Sequence, residues 1–512
     1  MLSGIFGNKS DHPLADIKSV QALLDGLSKN DAHKSLVEIT EWVESLQENT
    51  EFKIDHQFAV LRLLDDAAQP YVRKLVREYF TPTELNKFQE NRLWLALSNW
   101  SRLIAAAYFK VFTGYSAGEK GSSAIKAQIP LITARATNAM MWQIKYVSAR
   151  YGQIDDAIWG RLKLLFKHAE QLQYLDTPVS LYPGLVRNSS VKYEVGHLLV
   201  WYDCGLTTLS PLSIHLTERI IDYFCSTINI SQELNQQSRI CFDLLRPGEP
   251  TRINMGATAH PALRFIGLPE MRSKLDELMK ILKKNIVPDD LNLGGNYSAE
   301  VVTEAVQHLV NYLTVPPVRR SVRRAADVTL NVVNGFAKVI ERTGAWMGFD
   351  DKPLAQWVTE EISAGGFGAT LPVKGNADIG IGSLLGMQPD SVPHWGVAVV
   401  RRLVRKNDEL INVGAEILAT RVACVPLNYN STGGMIENGQ SALWLYSKQH
   451  EEAGEALLLM KADTFSPSRS LKILLNGKEY LLMPIGLKEK GLDFDLAKFR
   501  FVIQEKGTEE AY

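Results

Sequence analysis

The hydrophobic residues of the first three hundred positions recur with helical spacing. Between residues 31 and 48, four apolar positions share one helix face at a period near 3.6: Leu36, Ile39, Val43 and Leu46. Ser210-Pro211 is a good helix start, because serine caps the end and proline fits the first turn. The run from His56 to Phe80 contains Pro70, which predicts two helices there. The helices differ in length without a repeating motif, so we predict an irregular helical bundle over residues 1–314.

From Asp327 onward the period switches to two. Leu330 and Val332 alternate with Thr329 and Asn331, as in a half-buried strand. Short strands with turn signals continue to about residue 418, which predicts an antiparallel β-barrel over residues 315–420. The remaining strands include a hairpin signal at Asn476-Gly477, and they predict a second small β-rich barrel over residues 421–512. The fold class is therefore multidomain α plus β.

Composition limits the functional classes. The 512 residues are too many for one core, and a formal net charge of −1 argues against a protein that coats nucleic acid. No apolar run is long enough for a signal peptide or a membrane span. The four cysteines form no CxxC pair, which indicates reduced thiols. We expect a cytoplasmic protein without a metal site.

Four arginines crowd into six residues directly after Pro316-Pro317: Arg319, Arg320, Arg323 and Arg324. Their charges repel one another unless an anion lies among them. A guanidinium presents a planar fork of donors that matches phosphate and also stacks on a base. A charge run alone is more often a solvated linker, so this turn predicts an anion site only together with a second feature.

That second feature is a glycine-rich strand at residues 361–369. Ser363 offers a hydroxyl and Glu361 a carboxylate, while Gly365, Gly366 and Gly368 let a ligand or another backbone approach closely. A purine nucleotide needs such parts: a cation for phosphate, an acceptor for the guanine edge and bare backbone for packing. The alternative is a strand bulge packed under a neighbour, which explains the glycines without the arginines.

The arginine turn and this strand together resemble the PilZ domain, the bacterial receptor module for cyclic di-GMP. The family carries RxxxR before its barrel, matched here by Arg319 with Arg323 or by Arg320 with Arg324, and then [D/N]xSxxG, matched by residues 361–366. Residues 382–385, 395–403 and 413–418 are similar to its later strands. Two departures are Glu361 in place of Asp or Asn and a longer gap before it, which we assign to an enlarged hairpin around residues 342–348.

The resemblance implies a non-enzymatic cyclic di-GMP receptor with no other cofactor. Its expected ligand-binding residues are Arg319, Arg320, Arg323, Arg324, Glu361, Ser363, Gly365 and Gly366. Binding would order the arginine turn and re-aim the helical domain, which we expect to contact a protein partner. The RxxxR register, one ligand molecule or an intercalated pair, and the oligomeric state stay open.

A second hypothesis is a PilZ-like adaptor or scaffold that has lost its ligand. Glu361 favours it, since this carboxylate could instead pair with Arg401 or Arg402. We find no catalytic motif. The glycines at 380–386 superficially match a dinucleotide fingerprint, but no long helix follows, so they predict a barrel turn and strand. His260 and His394 lack further ligands at metal spacing.

Overall fold

The computed structural model describes residues 12–81, 85–185, 187–253, 260–314, 322–344, 354–429 and 438–504. The chain divides into two compact units, Met1–Pro317 and Val318–Tyr512. The finer domain boundaries predicted from the sequence stay predictions.

The first unit is mainly helical and has one extended apolar core. Its described helices are α1 (Ile17–Asp25), α2 (Ala32–Glu48), α3 (Ile54–Phe80), α4 (Lys87–Ser116), α5 (Ser122–Ile125), α6 (Ile129–Ser148), α7 (Asp156–Gln171), α8 (Val191–Tyr202), α9 (Pro211–Phe224), α10 (Met271–Leu282) and α11 (Ala299–Leu309). The predicted face of α2 is buried. Ser210 caps α9 by accepting a hydrogen bond from the Ser213 amide at 3.1 Å, and Pro211 begins the helix, as predicted.

The predicted break at Pro70 is wrong, because α3 runs through it from Ile54 to Phe80. Pro70 lies on the exposed side of the helix, so its ring does not enter the packed face. The opposite face, including Leu64, Ala68 and Val72, is buried in the core along its length. Packing of that face therefore outweighs the local cost of proline.

A small antiparallel sheet interrupts the helices of this unit. Its described strands are β1 (Asn229–Ser231), β2 (Ser238–Asp243), β3 (Thr251–Arg252) and β4 (Leu263–Gly267), in the order β1-β4-β2-β3. Along β2 buried positions alternate with more exposed ones, as in a half-buried strand. After α11, Val310–Thr314 form a π-helical turn.

The second unit begins with a closed antiparallel barrel. Its described strands are β5 (Arg324–Ala325), β6 (Thr329–Asn334), β7 (Ala355–Ser363), β8 (Gly366–Pro372), β9 (Leu384–Pro389), β10 (Gly396–Arg405) and β11 (Leu410–Ala419). They are ordered β5-β7-β6-β9-β10-β11-β8, and pairing of β7 with β8 closes the ring. The predicted alternation holds, since Leu330 and Val332 are buried. The glycines at 380–386, which superficially match a dinucleotide fingerprint, lie in a turn and in the start of β9, as predicted.

Helix α12 (Phe336–Thr343) occupies part of the segment that the sequence assigned to an enlarged hairpin. That prediction is wrong for residues 342–343, while residues 345–348 lie outside the described residues. Phe336 and Val339 enter an apolar core shared by strands of both barrels. The Asp493 carboxylate accepts a hydrogen bond from the Phe336 amide at 2.5 Å, so the second barrel caps the start of α12.

The remaining strands form a second closed barrel. They are β12 (Val422–Tyr429), β13 (Asn438–Leu445), β14 (Glu455–Lys461), β15 (Leu471–Leu475), β16 (Lys478–Lys490) and β17 (Phe494–Gln504), and helix α13 (Lys448–Glu452) precedes β14. The barrel order is β12-β13-β14-β17-β16-β15. Asn476 and Gly477 both have positive φ, 50° and 76°, as a tight hairpin turn requires. A helical region followed by two antiparallel barrels confirms the predicted fold class.

In the described ranges, no helix is both long enough and apolar enough to cross a membrane. The same ranges contain no group of three or more His, Cys, Asp or Glu side chains arranged to hold a metal ion.

Candidate functional site

The arginine turn is only partly described. Arg319 and Arg320 lie outside the described residues, whereas Arg323 and Arg324 lie within them. Arg324 begins β5, the two-residue strand on the edge of β7, and there it pairs with Ile362. Ala325 pairs with Glu361 in the same ladder. The start of the first barrel thus brings the end of the arginine turn beside the glycine-rich strand.

Arg323 and Arg324 are both exposed, but their successive positions along the chain place their Cβ atoms on opposite sides of the barrel wall. Ile362, the partner of Arg324, pairs in turn with Phe367, which is buried. Directly paired residues share a face of a sheet, so the Cβ of Arg324 belongs to the inner side. Arg323 is on the outer side, where its Nη1 donates a hydrogen bond to Oε1 of Glu361. The two arginines are therefore not equivalent, although nothing in their sequence positions distinguishes them.

A β-bulge turns Glu361 outward. Thr359 pairs with Ala369 on the inner face, and the register then shifts by one residue at Glu360, so that Glu361 pairs with Gly368. A Cβ at Gly368 would lie 2.9 Å from Cγ of Glu361, so the glycine leaves the room that this side chain occupies. Glu361 contacts Arg323, whereas Arg401 contacts Glu416 and Glu489.

In the hairpin that joins β7 to β8, the hydroxyl of Ser363 forms a hydrogen bond within the hairpin itself. The Ser363 hydroxyl donates to the Gly366 carbonyl at 3.2 Å. A Cβ at Gly366 would come within 2.4 Å of the Ala415 carbonyl oxygen, so this glycine permits close backbone packing. The position of a Cβ at Gly365 is open, with no atom within 4 Å. Backbone packing alone therefore explains why position 366 is a glycine, without any ligand. Gly365 lies in the turn of the hairpin, where a side chain would have room.

Two glycines pair with each other on the outer face, Gly368 of β8 and Gly414 of β11, and we call them the glycine floor. The side chain of Glu361 covers Gly368, which is buried, whereas Gly414 is partly exposed. Glu361 borders the glycine floor on β7, and Arg402 borders it on β10, where it pairs with Gly414. A second bulge, with Arg401 as the extra residue, turns Arg402 outward from the buried Val400. Gly414 and Arg402 are not among the residues predicted from the sequence, because only strand pairing brings them into one row with Glu361.

Ion pairs line the other two borders of the glycine floor. On one side, Arg401 Nε donates to Glu416 at 2.8 Å, and its two terminal nitrogens donate to Glu489 at 2.5 and 2.6 Å. On the other side, Lys406 lies 3.4 Å from Glu360. A hydrogen bond with Thr370, together with Lys406, holds the pKa of Glu360 below its ordinary value.

Two concave sites of the described residues lie away from the glycine floor. One of about 360 Å³ lies around Asp390 in the first barrel. Another, of about 410 Å³, lies in the helical unit beside Arg135. Neither of them is lined by the predicted site residues that the structure describes.

The helical unit holds its own groups of charged residues, but they are buried. Arg135 donates to Asp65 at 3.2 Å and to Asp66 at 2.6 Å. Lys145 donates to Glu218 at 2.7 Å and to Nδ1 of His215 at 2.8 Å. These groups satisfy one another inside the core, an arrangement typical of structural networks.

The comparisons with known proteins concern the helical unit. Residues 18–236 match the family model described as "Cyclic-di-GMP receptor FimW, N-terminal domain". The matched segment is less than half of the chain and covers a region for which sequence inspection identified no family. It does not include residues 315–420, where the PilZ resemblance stays a prediction. No curated protein and no solved structure matches the chain.

Proposed function

We propose that this chain is a receptor for cyclic di-GMP and that the ligand binds on the outer face of the first barrel. The observation that carries the proposal is the meeting of Arg323 and Glu361 beside the glycine floor. The description of the matching family model, a cyclic-di-GMP receptor domain, supports the same ligand class.

In the proposed binding mechanism, Arg323 exchanges its partner Glu361 for a phosphate of the ligand. The Arg323 and Glu361 side chains are 48% and 40% exposed, and exposed ion pairs contribute only about 0–1 kcal/mol. A phosphate can therefore replace Glu361 at small cost, because guanidinium and phosphate form paired, charge-assisted hydrogen bonds. The released carboxylate of Glu361 can then accept hydrogen bonds from the N–H groups of a guanine edge. In this mechanism the RxxxR motif that binds the ligand is the one formed by Arg319 and Arg323.

Ligand binding would also order the arginine turn, as the charges that repel one another gather around an anion. Since the turn connects the helical unit to the barrels in sequence, we propose that its ordering re-aims the helical unit toward a protein partner. Small-angle scattering with and without saturating ligand tests this step. Identical profiles would exclude the reorientation and leave the binding proposal intact.

The second candidate is a ligand-free adaptor. The contacts that favour it are the pairing of Arg323 with Glu361 and the internal hydrogen bond of Ser363, since both satisfy these groups without nucleotide. The barrel would then bind only proteins.

Calorimetric titration with cyclic di-GMP at physiological salt separates the two candidates, with separate titrations of GTP and cyclic AMP as controls. The receptor proposal expects selective micromolar or tighter binding that the double substitution of Arg323 and Arg324 by alanine abolishes. The adaptor proposal expects no heat and no thermal shift. Partner binding would then survive the same double substitution.

A further inference from the structure

The concave site beside Arg135, which we call the helical pocket, has a volume of about 410 Å³. Sites for small molecules span about 300–1,000 Å³, so this one is large enough for a ligand. Helix α3 contributes Arg62 and Asp66 to its lining, α6 contributes Arg135, and the loop between α7 and α8 contributes residues 177–180. The charged residues of the described lining are thus two arginines and one aspartate.

Arg135 has one hydrogen-bond donor to spare, although its side chain is only 2% exposed. Four of its five N–H groups donate to neighbours: the Leu181 carbonyl, Asp65, the Tyr108 hydroxyl and Asp66. The fifth, on Nη2, has no hydrogen-bond partner within the described residues. Because Nη2 contacts Asp66, which also lines the helical pocket, the unused N–H lies beside the pocket. A buried donor without an acceptor is costly, so a polar group is expected to occupy the pocket.

Asp66 and Arg62 supply further unused groups. Oδ1 of Asp66 accepts the hydrogen bond from Arg135 at 2.6 Å, whereas Oδ2 accepts none within the described residues. Nε of Arg62 lies 4.0 Å from Oδ2, which is beyond hydrogen-bond distance. The Arg62 side chain is 48% exposed and makes no hydrogen bond in the described part of the chain. A free carboxylate oxygen and two guanidiniums that can still donate are therefore close together.

The rest of the lining is uncharged. Six of its residues are apolar, three of them prolines: Ala127, Pro130, Leu131, Pro178, Val179 and Pro183. Among the described residues that line the helical pocket none is aromatic, so a nucleobase would have no ring to stack on. An aliphatic group, in contrast, can be buried against the prolines and Leu131. The pocket therefore suits a small molecule with an anionic group, a cationic group and an aliphatic part.

We propose that the helical pocket binds a free α-amino acid with an aliphatic side chain. The carboxylate of the ligand accepts hydrogen bonds from Nη2 of Arg135 and from Arg62, and its ammonium group donates to Oδ2 of Asp66. Both charged groups of an amino acid are attached to one carbon atom, so they match protein groups as close together as Arg62 and Asp66. The ligand uses only free hydrogen-bonding positions, and the buried pairs of Arg135 stay intact. This function is separate from binding of cyclic di-GMP by the first barrel.

Calorimetric titration of the full chain with L-leucine tests the proposal. We expect saturable binding of one molecule per chain. Two analogues each lack one charged group: 4-methylpentanoate has no ammonium group, and 3-methylbutylamine has no carboxylate. Each gives up charge-assisted hydrogen bonds, so each should bind at least about tenfold more weakly than L-leucine.

Substitution of Arg62 tests the site itself. Arg62→Ala should weaken binding of L-leucine about tenfold to hundredfold, because it removes a guanidinium that holds the carboxylate. Arg73→Ala is the matched control, since Arg73 is an exposed arginine on the same helix and does not line the helical pocket. It should leave the affinity within about twofold. Arg62→Gln repeats the test if Arg62→Ala alters the circular dichroism spectrum.

Three results would overturn the proposal. The first is the absence of saturable heat with L-leucine, and likewise with valine, methionine and proline, up to about 10 mM ligand. The second is equal affinity for L-leucine and 4-methylpentanoate, which would mean that Asp66 binds no ammonium group. The third is an equal loss in Arg62→Ala and Arg73→Ala, which would reduce the effect to net charge. Binding of cyclic di-GMP is measured separately, through Arg323→Ala, so either proposal can fail without the other.

Discussion

The helical unit and the first barrel use charged residues in opposite ways. In the helical unit, Arg135 and Asp65 are 2% and 0% exposed, and their ion pair lies within an apolar core. On the barrel, Arg323 and Glu361 meet in solvent with nearly half of each side chain exposed. A buried pair cannot exchange its partner without leaving a charge stranded, whereas an exposed pair can. Charges in the first region therefore maintain the fold, and charges in the second are available to a ligand.

The largest effect should come from breaking a buried pair. Arg135→Met leaves the fully buried Asp65 without its cation, and the loss of one partner of a buried pair costs about 3–5 kcal/mol. Urea unfolding measures this free energy. The matched variant Arg323→Met, at an exposed pair, should change it by less than about 1 kcal/mol. Equal values for the two variants would contradict the comparison.

The next largest effect is a difference in ligand affinity between variants of Arg323 and of Arg324. Arg323→Ala should weaken binding of cyclic di-GMP about tenfold to hundredfold, because Arg323 shares the outer face with Glu361. Arg324→Ala should change affinity by less than about threefold, because its strand partner Ile362 belongs to the inner face. Calorimetric titration of both variants measures the ratio. The reverse order would assign the Arg320–Arg324 register to the site.

Acid should weaken the helical unit through His215. Burial, and then the charge of Lys145, hold the pKa of His215 well below its ordinary value, although Glu218 works the other way. Below about pH 6.5 the unfolded chain therefore binds a proton at His215 that the folded chain does not. The free energy of unfolding then falls by about 1.4 kcal/mol per pH unit from this group.

Urea titrations between pH 7 and pH 5 measure that slope. His215→Gln should reduce the slope even if it also lowers stability at every pH. His394→Gln, at an exposed position of the first barrel, is the control and should leave the slope unchanged. A slope that His215→Gln leaves intact would assign acid sensitivity to other groups.

The smallest effect concerns Glu361. The neutral side chain in Glu361→Gln gives up the ion pair with Arg323 but keeps an acceptor oxygen for a guanine edge. If that pair competes with the ligand, affinity for cyclic di-GMP should rise up to about fivefold, the equivalent of about 1 kcal/mol. Competition binding against the wild type measures the change. A decrease would mean that the charge of Glu361 holds the ligand more strongly than it holds Arg323.

Local patterns in the sequence carry much of the fold. The alternation around Leu330 and the turn at Asn476-Gly477 follow from rules that act over a few residues, and both are found in the barrels. The failures at Pro70 and at α12 have one physical cause. In each place packing against residues distant in sequence outweighs a local preference.

The geometry of the site depends on long-range pairing and on bulges. Simple alternation would put Glu361 on the inner face with Trp357 and Thr359, and only the extra residue at Glu360 turns it outward. Similarly, simple alternation would put Arg402 on the inner face with Val400, and the bulge at Arg401 places it on the outer face. Bulges arise from the fit of whole strands, so the sequence can name candidate site residues such as Arg323 and Glu361, but it cannot assign them to a face of the barrel.

The measurement that tests the central claim most directly is an NMR titration of the full chain labelled with ¹⁵N-glycine. Chemical shifts report where cyclic di-GMP binds, and the glycines of each region serve as separate probes. We expect saturable shifts of Gly366, Gly368 and Gly414, with little change at Gly454 and Gly477 of the second barrel. Shifts confined to glycines of the helical unit, such as Gly196 and Gly205, would contradict the account and place the ligand site within the segment that matches the receptor family model.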